Sequence, residues 1–442
     1  MKRRNFLATS TSVALAPAVA GGAALAPAVA AASAAPLAAP MWTSTVPITG
    51  RAVPELAVFD RVMTGLLQSY GVPGGQCAVA KGGRLVYARG FGYVNVPAQS
   101  PTPLVSPTAR FRIASSTKPF TAVAILRLVQ AGKLQLTDRA FSILNDFTPP
   151  PGTTPDPRLA DITIYQLLQH TGGFEYPNAA GFDPQFDGLR LAANVFHHPY
   201  PATSVDLIRW AMGQPLAFTP GRVYSYSNLG YNILGRILER RTGLSYGAAL
   251  KALVLDPAGI SHFALMTRTS PQARLHDEVY YFDSADALPG YSIYNDDPLP
   301  EFYSYGGFDG RAIDAHGGGI ANAPDLTRFL NAVNGTTKPQ LLSGQTIKIM
   351  LARPSITPTG PYYGLGWDVN PAARVVQSHA GAISLGTLSV IFRLEEDITF
   401  VALFNHLAFN VDVMGLDVEH QLTAAGYSIT QWPTTDMYPN IG

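Results

Sequence analysis

A serine and a lysine stand three residues apart in the segment Ser115-Ser116-Thr117-Lys118, which opens a stretch with helical periodicity. Residues three apart lie on one face of a helix, so the Lys118 ammonium can reach the Ser115 hydroxyl. Burial at a helix N-terminus disfavours a charged lysine and lets it act as a base, while free N–H groups there can bind an oxyanion. The pair indicates nucleophilic catalysis by Ser115. For the tetrapeptide alone, an N-cap serine beside a solvated lysine is the alternative.

Two weaker patterns recur along the chain, and neither is decisive alone. Tyr-x-Asn occurs four times, and the copy at Tyr226–Asn228 stands out because it ends the longer string Phe218–Asn228. His-x-Gly occurs three times, beginning at His170, His316 and His379.

Taken in order, these motifs resemble those of the serine β-lactamase and penicillin-binding-protein superfamily. The resemblance extends over about residues 53–430. The similarity is to its class C-like branch, which holds D-alanyl-D-alanine carboxypeptidases, D-aminopeptidases and β-lactamase-fold esterases. The ordered set is far more specific than any one member of it. It comprises Phe111–Ala122, Leu168–Gly173, Pro220–Asn228, Gly317–Gly319 with Asp325–Phe329, Tyr363–Trp367 and His379–Gly381.

The resemblance implies a role for each matching position. Ser115 corresponds to the acylating nucleophile and Lys118 to its partner, and Tyr226 to the tyrosine that shuttles the proton to the leaving group. Asn228 corresponds to a substrate-binding position, and so do His379 and Gly381 of the third motif, His379-Ala380-Gly381, at a strand edge. The backbone N–H groups of Ser115 and Ala382 then correspond to the oxyanion hole. Whether Lys118 or Tyr226 is the base stays open, because the two would titrate as a coupled pair.

Two departures from the family pattern bear on the substrate. Many β-lactamases carry lysine where this chain has His379, and Ala380 replaces the usual hydroxyl residue, which removes a possible hydrogen bond to a substrate carboxylate. Both changes disfavour β-lactamase activity. We therefore expect a serine hydrolase that cleaves esters or amides through an acyl-Ser115 intermediate, with an esterase favoured. The alternatives are a D-amino-acid peptidase or D-alanyl-D-alanine carboxypeptidase and, less favoured, a non-catalytic penicillin- or peptide-binding receptor.

A competing motif lies at Gly243–Gly247, which satisfies the Gly-x-Ser-x-Gly pattern of α/β-hydrolases around Ser245. That nucleophile elbow needs a strand before it and a helix after it. A helical run precedes Ser245 here, so we expect this serine to be a helix N-cap.

Other reactive residues have structural explanations. His197-His198 lacks the spaced partners of a metal site, and His170 belongs to a turn in which it is expected to form structural hydrogen bonds. Cys77, the single cysteine, is expected to be a small buried hydrophobe. Gly317–Gly319 lacks the lysine of a phosphate-binding loop. No cofactor and no metal are predicted.

The elements that must position these residues come from both ends of the chain. Residues 53–70 have a helical period that ends at Gly71, and two β-type runs around Lys81–Gly83 indicate a hairpin. Strands are predicted at 389–392 and 398–404, and a last helix at 411–425. The predicted fold is α+β and β-lactamase/transpeptidase-like: an antiparallel sheet flanked by helices, with a mostly helical insertion over about 137–310.

The segment 277–310 is rich in aromatic residues among Asp, Pro and Gly and has no clear period. A loop of this length can be a lid or binding loop that favours bulky apolar substrates. The alternative is that its aromatic rings anchor the loop on the core.

Composition restricts the partners. The 442 residues carry 31 Lys+Arg against 30 Asp+Glu, so no basic excess exists to neutralise nucleic-acid phosphates. We expect a small-molecule ester, amide or peptide substrate and no nucleic acid; the sequence leaves the oligomeric state open.

The first residues have the pattern of an export signal. Arg3-Arg4 before Phe6-Leu7 resembles a twin-arginine signal, and small-residue cleavage sites follow as far as Ala34. The expected domains are a signal at 1–34, a linker at 35–52, the hydrolase domain at 53–430 and a tail at 431–442. Pro and Gly interrupt the apolar run of the signal, so we expect no stable membrane span after its removal and a periplasmic or secreted protein.

Overall fold

The computed structural model describes most of the chain, from Thr45 to Ile441. The predicted signal lies outside the described residues. The described ranges are 45–95, 103–178, 182–283, 290–294, 296, 300–337, 339–408 and 410–441.

The described strands fall into one large sheet and two small ones. In chain order they are β1 (Ile48–Thr49), β2 (Gly74–Lys81), β3 (Arg84–Gly92), β4 (Phe111–Arg112), β5 (Ala264–Leu265), β6 (Gly290–Tyr291), β7 (Pro300–Glu301), β8 (Gly319–Ala321), β9 (Tyr362–Tyr363), β10 (Asp368–Asn370), β11 (Val375–Ile383), β12 (Thr387–Leu394) and β13 (Ile398–Phe404).

Most of the described α-helices lie between the two groups of sheet strands. They are α1 (Ala57–Tyr70), α2 (Lys118–Gln130), α3 (Ala140–Ile143), α4 (Ile164–Leu168), α5 (Leu189–Phe196), α6 (Ser204–Met212), α7 (Asn228–Thr242), α8 (Tyr246–Leu250), α9 (Asp256–Ala258), α10 (Ala323–Asn334), α11 (Gly344–Met350) and α12 (Val411–Tyr427). Within the described part of the chain, no helix is both long and apolar enough to cross a membrane.

The large sheet is built from the two ends of the chain. Its eight strands run in the order β1-β3-β2-β13-β12-β11-β10-β9, and every neighbouring pair is antiparallel. The C-terminal strand β13 joins the N-terminal hairpin to the rest, with Val401 paired to Ala78. The predicted α+β fold, with a sheet from both termini around a helical insertion, is confirmed.

The N-terminal elements form where the sequence predicts them. Gly71 adopts the left-handed φ of 62° that ends α1. Between β2 and β3, Gly82 and Gly83 have φ of 55° and 78° and close a two-residue hairpin that pairs Lys81 with Arg84.

Both faces of the sheet are buried, which explains why its central strands are mostly apolar. All seven residues of β13 are buried. Phe400 and Ala402 pack in the cluster that α1 and α12 cover, whereas Val401 and Leu403 pack on the opposite face in the cluster that contains α2 and α10. Cys77 is fully buried on the α1 side, as expected.

Described residues on both sides of the predicted hydrolase domain, outside 53–430, also pack on it. Ile48–Thr49 lies in the range predicted as a linker, yet it pairs with β3 at the edge of the sheet. The predicted tail also packs on the domain, because Met437 N donates to Leu85 O and the Tyr438 hydroxyl bonds to Thr327 and Asn331. A two-residue strand and isolated side-chain contacts leave no periodicity in the sequence. Composition was therefore the only guide to these residues, and it indicated a linker and a tail.

Ser245 caps a helix and lies on no nucleophile elbow. The preceding element is α7, and Ser245 Oγ accepts the backbone N–H of Ala248 at 3.4 Å in the first turn of α8. Ser245 is exposed. The Gly-x-Ser-x-Gly match is therefore accidental, as its helical context predicts.

We expect Ser245→Ala to lower the free energy of unfolding by about 1 kcal/mol, because it removes an N-cap acceptor. Ester turnover per folded molecule should stay unchanged. Denaturant unfolding and a turnover assay on the same preparation check both, and a loss of turnover would contradict the assignment of Ser245 as a cap.

Candidate active site

Ser115 lies on a tight turn that joins β4 to α2. Ala114 has a φ of 46°, in the left-handed region that side chains rarely adopt, and a 3₁₀ turn over Ala114–Thr117 leads into α2. In a 3₁₀ turn the side chains of residues i and i+3 are almost aligned. This geometry brings Lys118 Nζ to 3.0 Å from Ser115 Oγ.

The residues next to Ser115 tie this turn to the sheets. Ser116 Oγ lies 2.8 Å from Ser389 Oγ, and Ser389 Oγ donates to Ile113 O at 2.7 Å. Thr117 Oγ1 accepts the N–H of Gly319 at 2.9 Å. The turn is therefore fixed from β12 and from β8, which holds its strained conformation in place.

The Lys118 amine is buried and has three hydrogen-bond partners. Besides Ser115, it donates to Asn228 Oδ1 at 2.8 Å and to His316 O at 3.1 Å. Its side chain is fully buried, and that burial lowers the pKa of Lys118 well below its usual value, a shift that the negative charge of Asp183 partly opposes. Burial therefore favours the neutral form of the amine.

Tyr226 lies beside this pair at the start of α7. Its ring centroid is 4.6 Å from Lys118 Nζ, and its hydroxyl bonds with Ser115. Burial raises the pKa of Tyr226, and the bond with Ser115 opposes that shift only in part, so the side chain rests as a phenol.

His170 holds the residues on either side of Tyr226. Its carbonyl accepts the N–H of Ser225 at 2.9 Å, and its Nδ1 accepts the N–H of Ser227 at 3.0 Å. The ring centroids of His170 and Tyr226 are 4.4 Å apart. Burial lowers the pKa of His170, as an accepting Nδ1 requires, and the side chain plays the structural part expected of it.

Asn228 links Lys118 to a buried acid. Its Oδ1 faces Lys118, and its Nδ2 donates to Asp183 Oδ2 at 2.7 Å. Asp183 is 5% exposed, and burial raises its pKa to about 6.

Strand β11 passes along the other side of Ser115. β10 pairs with β11 only as far as Ser378, so the following residues border the Ser115 turn. A Cβ on Gly381 would overlap the carbonyl oxygen of Ile113 and lie 2.7 Å from the backbone nitrogen of Ser115. The strand can approach this closely only because residue 381 is glycine. Ala382, the next residue, is partly buried.

His379, the first residue of the motif His379–Gly381, is uncharged. His379 Nδ1 lies 2.7 Å from the carbonyl of Ala380, which can only accept, so Nδ1 carries the proton. Nε2 is then the acceptor for the Tyr363 hydroxyl at 3.2 Å. Burial lowers the pKa of His379 to about 3, an effect that Lys118 strengthens. No positive charge therefore stands where many β-lactamases have lysine.

The aromatic segment 277–310 is anchored on the core in its described part. Tyr281, Tyr294, Tyr305 and Phe308 are all buried. Arg112 stacks on Tyr281 with its guanidinium carbon 4.3 Å from the ring centroid. The described rings therefore anchor the segment on the core, as the second of the two interpretations predicted.

The site also contains groups that no sequence motif indicated. His316 contributes its backbone carbonyl rather than its imidazole, and Asp183 stands alone in a segment without periodicity. Tyr224 is 43% exposed, with its ring centroid 6.1 Å from those of His170 and Tyr363. Only its position two residues before Tyr226 could have indicated it.

Two surface cavities lie on other parts of the molecule. One of about 140 Å³ is lined by His197, His198 and Tyr200, and His198 pairs with Asp206 at 2.9 Å. The other, of about 280 Å³, is bordered by Arg139, Arg240 and Arg241. Within the described ranges, no group of His, Cys, Asp or Glu side chains could hold a metal ion.

Fold and site agree with the family to which the sequence belongs. Residues 59–425 match the Beta-lactamase family, so the chain is a member of that family. A member that keeps the Ser-x-x-Lys pair of Ser115 and Lys118 is a serine hydrolase.

Three known proteins illustrate the similarity. Esterase EstB of Burkholderia gladioli is 29% identical over 349 residues, which cover 75% of this chain and 83% of that protein. The solved structure of EstCE1, a hydrolase with promiscuous acyltransferase activity, has a TM-score of 0.63 at 21% identity and covers 84% of this chain and all of that one. D-amino acid amidase from Ochrobactrum anthropi SV3 has a TM-score of 0.61 at 20% identity, with 83% and 99% covered. The two structures share the fold.

We expect Gly381→Ala to lower the rate of Ser115 acylation at least roughly 100-fold, because the added methyl group would overlap backbone atoms of the Ser115 turn. Gly415→Ala is the matched control, since its Cβ would meet Ala380 Cβ at 3.7 Å and Val390 Cγ2 at 4.0 Å, both ordinary van der Waals distances. Labelling with a fluorophosphonate followed by mass spectrometry measures the rate. Equal rates in the two variants would show that the close approach of β11 is unimportant.

Proposed function

We propose that this protein is a serine esterase that cleaves carboxylic esters through an acyl-Ser115 intermediate. One observation carries the proposal: Lys118 Nζ faces two oxygens that can only accept hydrogen bonds, Asn228 Oδ1 and His316 O, and one hydroxyl, Ser115 Oγ. A neutral amine has two protons and one lone pair. Donating both protons to the two carbonyl oxygens leaves the lone pair for the Ser115 hydroxyl.

In the acylation step, Ser115 Oγ attacks the carbonyl carbon of the ester while its proton passes to Lys118 Nζ. The carbonyl electron pair moves to oxygen, where the N–H groups of Ser115 and Ala382 are proposed to bind it. Collapse of the tetrahedral intermediate breaks the bond to the leaving alkoxide. Tyr226, a phenol that bonds with Ser115, is positioned to give that alkoxide a proton and to recover one from Lys118.

Deacylation repeats these steps with water as the nucleophile. Water attacks the acyl carbon, its proton returns through the same pair, and Ser115 Oγ leaves as the hydroxyl. The two steps together consume one ester and one water and use no oxidant, reductant or cofactor.

The uncharged side chain of His379 supports an ester substrate over a β-lactam. A β-lactam antibiotic or a D-alanyl-D-alanine terminus carries a carboxylate near the reacting carbonyl, and a cation stabilises such a group. His379 is uncharged and bonded to Tyr363 and Ala380, so it offers no such charge.

Hydrolysis of D-amino-acid amides is the second candidate. Asp187 is exposed beside Asp183, and burial of Tyr303 close to both carboxylates raises the pKa of that tyrosine. An exposed carboxylate next to the site could pair with a substrate α-ammonium. The amidase named above shares the fold.

We also propose that the protein is exported. The proposal rests on the N-terminal Arg3-Arg4 pattern and the small residues that follow it.

Tyr224 is the proposed contact for the apolar part of the ester. It is the exposed aromatic side chain nearest to Tyr226 in the chain, and its ring lies beside Tyr363, which bonds to His379. Stacking on such a ring favours aryl groups over small acyl groups.

Ser115→Ala should abolish both turnover and covalent labelling, because it removes the attacking oxygen. A short-chain p-nitrophenyl ester, a D-alanine p-nitroanilide and a chromogenic cephalosporin are assayed side by side with wild type and variant. Ester turnover lost in Ser115→Ala supports the esterase, and turnover of the anilide alone supports the amidase. Retained ester turnover in Ser115→Ala would contradict the proposed nucleophile.

Tyr224→Ala should lower kcat/KM for p-nitrophenyl phenylacetate roughly three- to tenfold and change that for p-nitrophenyl acetate little, because only the aryl acid stacks on the ring. Leu244→Ala is the matched control: Leu244 is 44% exposed, between α7 and α8. The ratio of the two kcat/KM values is the measurement. An equal ratio in wild type, Tyr224→Ala and Leu244→Ala would exclude Tyr224 from specificity.

A further inference from the structure

The amide of Asn228 can be turned either way, and its orientation decides whether Lys118 can act as a base. With Oδ1 towards Lys118 the amine has an acceptor, whereas with Nδ2 towards it two donors would face each other. Nothing in the Lys118–Asn228 pair alone fixes this choice, because an asparagine side chain offers both groups.

The hydrogen bonds of Asp183 determine which way the Asn228 amide is turned. Above its pKa of about 6 the Asp183 carboxylate is ionised and has only acceptor atoms, so it must receive the Nδ2–H of Asn228, which it does at 2.7 Å. Its other oxygen accepts the N–H of Gln185 at 2.9 Å, and the N–H of Asp183 donates to Asp187 at 2.8 Å. The carboxylate is thus fixed at both oxygens, and the amide oxygen of Asn228 must point to Lys118.

Asp183 also supplies the negative charge that Lys118 lacks in direct contact. The hydrogen-bonded partners of the amine are a hydroxyl, an amide and a peptide carbonyl, all uncharged. When the amine takes the serine proton it becomes an ammonium, and the Asp183 carboxylate lies one amide away from it. A buried opposite charge stabilises that ammonium.

We propose that Asp183 is a positioning residue of the acylation step: through Asn228 it orients the acceptor of Lys118 and stabilises the ammonium that forms when Ser115 is deprotonated. This inference rests on the proposed function, because it assumes that Ser115 is acylated with Lys118 as the base. The resulting order is Ser115–Lys118–Asn228–Asp183, in which Asp183 touches neither the substrate nor the reacting atoms.

Several other ionisable groups surround this series and must be considered in any pH profile. Lys118 is faced by Tyr226 and Tyr231, whose ring centroids are 4.6 and 5.8 Å away, and its charge acts on three buried histidines, namely His170, His316 and His379. The groups that interact with the Asp183 carboxyl are Asp187, Tyr176, Tyr226 and Tyr303. Burial lowers the pKa of each histidine and raises that of each tyrosine. On the low-pH side of the profile, called the acid limb below, the rate falls as a group takes up a proton. Lys118, Asp183 and Asp187 are therefore the groups that can set the position of this acid limb.

The test is Asp183→Asn, which keeps the shape and an acceptor oxygen but removes the charge. The rate of Ser115 labelling by a fluorophosphonate is followed from pH 4 to pH 9, since this probe needs no knowledge of the substrate. Without the charge the ammonium form of Lys118 is less stable, so its pKa falls. The acid limb should then move to lower pH by about one unit. The plateau rate should fall roughly 10- to 100-fold, because a weaker base assists the attack less.

Two controls separate this role from a structural one. Asp325→Asn removes a carboxylate of similar burial, 4% exposed, which accepts the N–H groups of Ser261 and His262. It should lower stability and leave the acid limb in place. Asp183→Glu keeps the charge, so its limb should stay at the wild-type pH even if its plateau rate is lower. This second variant keeps the test possible if Asp183→Asn does not fold.

The outcomes can be told apart. Wild type that is not labelled at Ser115 would overturn the proposed function and this inference with it. Labelled wild type with an unmoved limb in Asp183→Asn would overturn the inference alone. So would a limb in Asp183→Glu that is displaced as far as in Asp183→Asn.

Discussion

The burial of one amine, Lys118 Nζ, is the constraint on which the rest of the site depends. Removing an ammonium from water without a contacting carboxylate is costly, so burial favours the neutral amine, and the chain supplies that amine with hydrogen-bond acceptors. Those acceptors come from separate parts of the chain: Asn228 opens α7, and His316 precedes β8. The start of α7 and the segment before β8 therefore both support this amine.

The same constraint explains the unusual backbone around Ser115. For the Ser115 hydroxyl to reach the buried amine while Ser115 stays partly exposed, the chain must turn sharply between β4 and α2. Ala114 does so in the left-handed region, and Gly381 lets β11 approach the turn without a side chain in between. A strained alanine and an obligatory glycine thus stand on opposite sides of the nucleophile.

The parts of this architecture that the sequence predicted are those with a local signal. Periodicity or a terminating glycine predicted the β2–β3 hairpin, α1, α2, β12, β13 and α12. The helical run before Ser245 identified that residue as a helix cap. No periodicity predicted β11, because three of its five buried residues, Gln377, His379 and Gly381, are polar or small; only the family resemblance placed its motif at a strand edge. Asp183 and the His316 carbonyl could not be predicted either, since a lone acid and a backbone oxygen leave no pattern; only tertiary packing brings them to Lys118. The order of motifs located Ser115, Lys118 and Tyr226, and the hydrogen bonds among them needed coordinates.

The strand order of the large sheet governs when the enzyme can become active during synthesis. β13 lies between β2 and β12, so the N-terminal hairpin and the strands beside Ser115 share no direct pairing until residues 398–404 have left the ribosome. Contacts between such distant segments form late in folding. Ser389, which fixes the Ser115 turn, belongs to this same late part of the sheet. A nascent chain therefore contains Ser115 and Lys118 for most of translation without the contacts that make them reactive. A working hydrolase is present only after the polypeptide is essentially complete.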